Sequence, residues 1–247
     1  MAGPLVLDDN FVNGIDPRIW EIIKSPNWDA TKPNGQKQFY LPDALSTDKN
    51  GLHISADHKK THDPKTGLDL EYSSGRLETR KNFLYGKFEF TAQLPKGDGF
   101  WPALWMRNPE TEGSKDEIDV IEGYGNHPSW ILSTSHFWAG GVNHHHGVRL
   151  GIDFHNDPAV TRAIEAIGGK TPDFTADYHK FSVEWMPDHV TWFLDGIPYF
   201  TVSEDIPSSP MRLVLNLSVG GGFAGSVNSA TQFPADFNVR SVKVWSK

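Results

Sequence analysis

The chain has 247 residues, 12% of them aromatic, no cysteine and a formal net charge of −8. The missing thiols exclude disulfides, thiolate metal sites and cysteine nucleophiles, and the acidic balance argues against nucleic acid as a partner. Met1 to Phe11 (MAGPLVLDDNF) has no basic segment and no long apolar run, so it does not read as a signal peptide. No apolar run is long enough to span a bilayer as a helix. Period-2 alternation, with aromatic and β-branched residues, then runs through the chain. Strands are predicted over Gly51 to Asp57, Gly86 to Gln93, His179 to Trp185, His189 to Leu194, Pro198 to Val202, Met211 to Val219 and Asn238 to Trp245. Asp195-Gly196 joins two of them as a tight hairpin. A helix is predicted over Asp157 to Ile167, with Asp157 as N-cap, Pro158 in the first turn and Gly168-Gly169 as the stop. Without repeats or linkers, residues 1–247 read as one all-β domain, a sandwich of two antiparallel sheets or a barrel.

The chemistry concentrates in Ser114 to Gly125, SKDEIDVIEGYG. On a plain strand Glu117 and Asp119 share a face and Glu122 lies on the other. One extra residue, a bulge at Val120-Ile121, returns Glu122 to the side of the first two. Three carboxylates on one face repel each other, so at least one proton affinity must rise. That division of roles suits a retaining glycosidase, with one carboxylate attacking and another donating a proton. Taken alone, the same pattern also suits a solvated polar stripe or a Ca²⁺ or Mg²⁺ site. His144-His145-His146 invites a zinc reading, but neighbouring residues on a strand point to opposite sides; the triplet is expected in a loop at a cleft mouth.

The segment Ser114 to Gly125 resembles the signature of the family 16 glycoside hydrolases, in the bulge-containing form of laminarinase-like enzymes. Val6 to Trp20, Ser74 to Met106, Phe181 to Gly196 and Leu213 to Gly221 resemble further stretches of that family. The resemblance implies a β-jelly roll with a concave substrate cleft and retaining endo-hydrolysis of a β-linked polysaccharide, first of all a β-1,3- or mixed-linkage glucan. Galactans of the agar or carrageenan type, bacterial exopolysaccharides, a transglycosylase and a non-catalytic carbohydrate-binding sandwich are the alternatives. It further implies Glu117 as nucleophile, Glu122 as acid/base and Asp119 as the residue that tunes the pair. Trp101 and Trp105 alternate toward the cleft in FWPALWM, where flat rings can stack on sugars. His136, Arg76, Trp138, Trp185 and Asn216 are the remaining subsite candidates, whereas Trp20, Trp192 and Trp245 are assigned to packing. Glu71, Glu78 and Arg80 are read as ordinary surface or strand-paired charges. No cofactor is expected. Relatives often carry a structural calcium near the last strand, but Arg240 stands at the matching position and would repel a cation. Residues 147–177 are expected to be an insertion covering or extending one end of the cleft. A secreted monomer is expected.

Overall fold

The computed structural model describes residues 3–33, 35–109, 115–151 and 158–247. The alternation forms two large antiparallel sheets packed face to face as a β-jelly roll. The first sheet has eight strands. Its path runs Ile197–Val202, Val190–Leu194, His179–Trp185, Gly86–Gln93, Ala235–Trp245, Gly51–Ala56 and Leu45–Asp48, with Leu5–Asp9 also paired to Ala235–Trp245. The second has seven, in the order Val142–Leu150, Ile131–Ala139, Glu117–Gly123, Phe100–Arg107, Arg212–Val219, Arg76–Thr79 and Trp20–Ile22. Each strand turns its apolar residues inward. In Gly86–Gln93 the exposure alternates strictly, with Phe88, Phe90 and Ala92 buried. The Asp195-Gly196 hairpin has positive φ at both residues (51° and 86°), the left-handed conformation that its sequence favours.

Two expectations need correction. The histidine triplet lies inside the edge strand Val142–Leu150, not in a loop. His144 and His146 share a face, and both approach Asp205 (Nδ1 to Oδ2 3.8 Å and Nε2 to Oδ2 3.1 Å). Nor does the described part of residues 147–177 cover the cleft. Residues 147–150 continue the edge strand. The helix Pro158–Ala166 instead buries Val160, Ala163 and Ile164 in the main core, and Phe174 joins them there. This segment extends the hydrophobic interior. Its proposed N-cap, Asp157, lies outside the described residues, as does Ser114. Gly168 and Gly169 end the helix with φ of 96° and 89°. Arg240 lays its guanidinium over Tyr178, 3.8 Å from the ring centre. No helix among the described residues is long and apolar enough to cross a membrane.

Candidate active site

The strand Glu117–Gly123 carries the irregularity that its sequence needs. Trp105 pairs with Asp119 and Leu104 with Ile121, so Val120 has no partner on that side; the opposite neighbour also shifts register between Asp119 and Glu122. Glu117, Asp119 and Glu122 therefore face outward together. Ile118, Val120 and Ile121 are all buried in the core. A bulge leaves carbonyls without ladder partners, and a buried orphan is costly. Here both are satisfied. The indole N–H of Trp192, from the opposite sheet, donates to the Asp119 carbonyl at 2.8 Å. The Ser133 hydroxyl donates to the Val120 carbonyl at 2.9 Å and lies 2.6 Å from the Tyr199 hydroxyl, also on the opposite sheet. Trp192 thus packs as expected and also braces the bulge. Just before the strand, buried Asp116 accepts from Trp138 N, Ser208 N, Ser209 N and the Ser209 hydroxyl, and so pins the strand's entry.

The three carboxylates line a cleft of about 650 Å³ together with Arg76, Glu78, Trp101, Trp105, Arg107 and Asn216. The strand register explains the gathering. Glu117 sits opposite Arg107 on one side and His136 on the other, and Glu122 sits beside Ala103. The Trp101 indole donates to Glu122 Oε1 at 3.0 Å, while one ring face stacks on Phe223 at 4.5 Å. Trp105 donates to Asn216 Oδ1 at 2.7 Å. Asn216 in turn donates to the Ser218 hydroxyl at 3.1 Å, and Gln38 donates to the Tyr40 hydroxyl at 2.9 Å. The Trp105 plane is thereby fixed before any ligand arrives. His136 Nε2 lies 3.3 Å from Asp119 Oδ2 and 3.8 Å from Glu117 Oε1. The Asn143 amide is 2.9 Å from His136 Nδ1. With Nδ1 engaged by Asn143, the ring turns its Nε2 edge toward Asp119.

Burial dominates the electrostatics. It raises Glu117 to about 8, with Asp119 adding repulsion and His136, Arg107 and Arg76 opposing. The Glu117 side chain keeps 35% of its surface open toward the cleft, so solvent screens part of that shift. Burial raises Asp119 to about 7. Glu122 is also pushed well above its ordinary value, first by burial and then by the charges of Asp119 and Glu117. The trio therefore releases its protons reluctantly. The ligand atoms of Glu117, Asp119 and His136 lie within 4.8 Å of one another, close enough to converge on a cation. The same three groups suit proton transfer, and the raised proton affinities oppose metal binding near neutral pH.

Not every sequence candidate joins the cleft. Trp185 is corrected: it is fully buried between the sheets, its indole N–H donates to the Pro207 carbonyl at 2.9 Å, and it packs against Tyr85. Its place at an inward position of Gly86–Gln93's neighbour strand put it in the core. Trp138 lies two residues beyond His136 on the same strand, away from the cleft lining, with the Lys115 ammonium 4.9 Å from its ring centre. Glu78, expected as a surface or strand-paired charge, is the latter. Far from being an ordinary surface charge, it is 2% exposed and holds Arg76 (2.6 Å), Arg107 (2.9 Å) and Arg212 (3.4 Å) at the cleft floor. Arg107 escaped the sequence reading, although the alternation Trp101, Ala103, Trp105 continues directly to it. Tyr40 and Ser218 had no comparable signal, because they enter through long-range packing.

Comparisons with known proteins agree with this geometry. The model of "Glycosyl hydrolases family 16" matches residues 34–238. A glucan endo-1,3-beta-glucosidase of Cryptopygus antarcticus is 35% identical over 72% of the chain and 68% of its own length. A beta-glucanase of Rhodothermus marinus is 29% identical over 98% of the chain and 84% of its own length. The chain spans about a quarter (27%) of the glucan endo-1,3-beta-glucosidase A1 of Niallia circulans, to which it is 34% identical. The laminarinase catalytic domain of Thermotoga maritima superposes with a TM-score of 0.81 at 29% identity, covering 100% of this chain and 99% of that one. The bulged acidic strand, the cleft beside it and these matches make the chain a member of the family 16 glycosyl hydrolases.

Proposed function

We infer that this protein is a retaining endo-β-glucanase that cleaves internal bonds of a β-1,3-glucan, with mixed-linkage β-glucan as the nearest variant. The observation that carries the reading is the bulge, which puts Glu117 and Glu122 on one side of one strand with Asp119 between them. In the first step Glu117 attacks the anomeric carbon while Glu122 gives its proton to the departing glycosidic oxygen. In the second, Glu122 takes a proton from water, which attacks the glycosyl-enzyme and regenerates Glu117 with overall retention. Asp119 stands between the pair in contact with His136, and Trp101 orients the Glu122 carboxyl. An open cleft walled by Trp105, Arg76 and Asn216 suits a chain bound along its length. All these groups come from one chain, so a monomer suffices. A polymer of this size is met outside the cell, and we place the enzyme there.

The rate should follow a bell in pH. Activity rises as Glu117 loses its proton. Because that proton is held above the usual 4.5, the acid limb lies well above an ordinary glutamate value. Activity falls again as Glu122 deprotonates at higher pH. The deciding experiment is hydrolysis of laminarin-type and mixed-linkage glucans by wild type, Glu117→Gln and Glu122→Ala. Both variants should lose activity. On an aryl β-glucoside, whose leaving group departs without an acid, azide should partly rescue the second by giving a glycosyl azide of retained configuration. Reducing-sugar release by Glu117→Gln equal to wild type would sink the assignment.

A further inference from the structure

The cleft ends against a loop that the catalytic chemistry does not use. Residues Ile23, Ser25, Pro26, Asn27 and Trp28 line that end. Trp28 is 76% exposed, the most open large apolar side chain among the described residues. Its loop is firmly built. Asp29 Oδ1 accepts from the Asn27 amide at 2.6 Å and from Gln36 N at 3.2 Å, while the Lys37 ammonium donates to the Lys32 carbonyl at 2.7 Å. A β-carbon on Gly35 would meet the Asp29 carbonyl at 1.8 Å, so the turn closes without slack. Ala30 is buried with Phe39 and Leu70 in a small apolar cluster of its own. The loop thus shelters an alanine and leaves a tryptophan outside. The Lys32 ammonium, 4.0 Å from the ring centre, covers one face of the indole and leaves the other for a ligand.

We propose that Trp28 is a distal sugar-binding platform, whose free face stacks on a pyranose ring of the glucan chain beyond the sugars held at the catalytic strand. The occupant follows from continuity: the same cleft runs from Glu122 past Trp105 and Arg76 to this loop. Its place in the fold sets the reach. Arg212–Val219 lies two strand spacings from Glu117–Gly123, Lys37 N donates to the Val219 carbonyl at its far side, and Ser25–Pro26, which leads into Trp28, pairs one spacing further with Phe39–Tyr40. At ~4.8 Å per spacing this is at least roughly 14 Å, or about three pyranose units. Short oligosaccharides therefore end before Trp28, and longer chains reach it. The enzyme reads chain length through this residue. The inference rests on the glucanase reading above.

The test uses a ladder of β-1,3-gluco-oligosaccharides and the polymer, with kcat and KM measured for wild type, Trp28→Ala and Trp28→Phe. The ratio of kcat/KM between long and short substrates should fall about five- to tenfold in the alanine variant, as a KM effect on long chains. The phenylalanine variant should recover most of that ratio, and an unchanged melting temperature will show that the loop is intact. An identical ratio in all three proteins would overturn the platform while leaving the glucanase intact. Failure of the wild type on every glucan would overturn the substrate reading, and the platform with it.

Discussion

Two buried carboxylate centres share the outer face of the seven-stranded sheet, and their charges are handled in opposite ways. Glu78 is surrounded by Arg76, Arg107 and Arg212. Burial alone would raise its proton affinity, but the arginines outweigh burial and hold it below the ordinary value. Glu117, Asp119 and Glu122 have burial and mutual repulsion, with one histidine in contact, and all are raised. The first centre is matched and serves the fold. The second is left unmatched, at a cost to the fold, and is thereby able to exchange protons with a substrate.

This contrast can be broken or sharpened by substitution. The largest effect belongs to the unmatched centre: Glu117→Gln should lower kcat on the order of 10⁴-fold, read by product release at saturating glucan. Folding should barely suffer, and a collapse of the melting transition would place Glu117 on the structural side instead. Next comes Glu78→Gln. It strands three guanidinium groups around a neutral amide and should cost about 3 kcal/mol in urea unfolding. A neutral result would erase the distinction between the centres.

A smaller and pH-dependent effect is expected from Asp119→Asn. The native carboxyl near 7 binds a proton that the unfolded chain, near 3.8, has released. Stability from this group is therefore lost as pH rises from about 4 through 7. The amide should raise the melting temperature by a few degrees at pH 8 and leave it unchanged at pH 3. The opposite trend would mean that Asp119 is satisfied as an anion. Last comes Trp192→Phe, which orphans the Asp119 carbonyl and shrinks a fully buried ring, about 2 kcal/mol by denaturation. It should lower kcat more than it changes KM, because the bond it removes orients Asp119.

The fold and the trio were legible because both follow local periodicity. Gly86–Gln93 and His179–Trp185 formed as read, and the spacing from Asp119 to Glu122 required the bulge at Val120-Ile121. What escaped depends on which strand lies beside which. Glu78 read as a surface or strand-paired charge, and only the fold shows that its partners Arg107 and Arg212 arrive from two other strands and bury it. Trp185 looked like a subsite ring, since sequence gives alternation without saying which side of a strand is covered by the second sheet. The edge strand Val142–Leu150 was hidden by polar residues that a loop would also carry.

The bulge has a consequence for insertions and deletions. Removing either Val120 or Ile121 would leave the three carboxylates two residues apart from one another along the strand, so a straight strand would still aim all of them outward. What would lose its purpose is the bracing from behind: the Trp192 indole and the Ser133 hydroxyl would have no displaced carbonyls to hold. The acidic ridge can therefore be written in two lengths, and the far sheet records which length this chain uses.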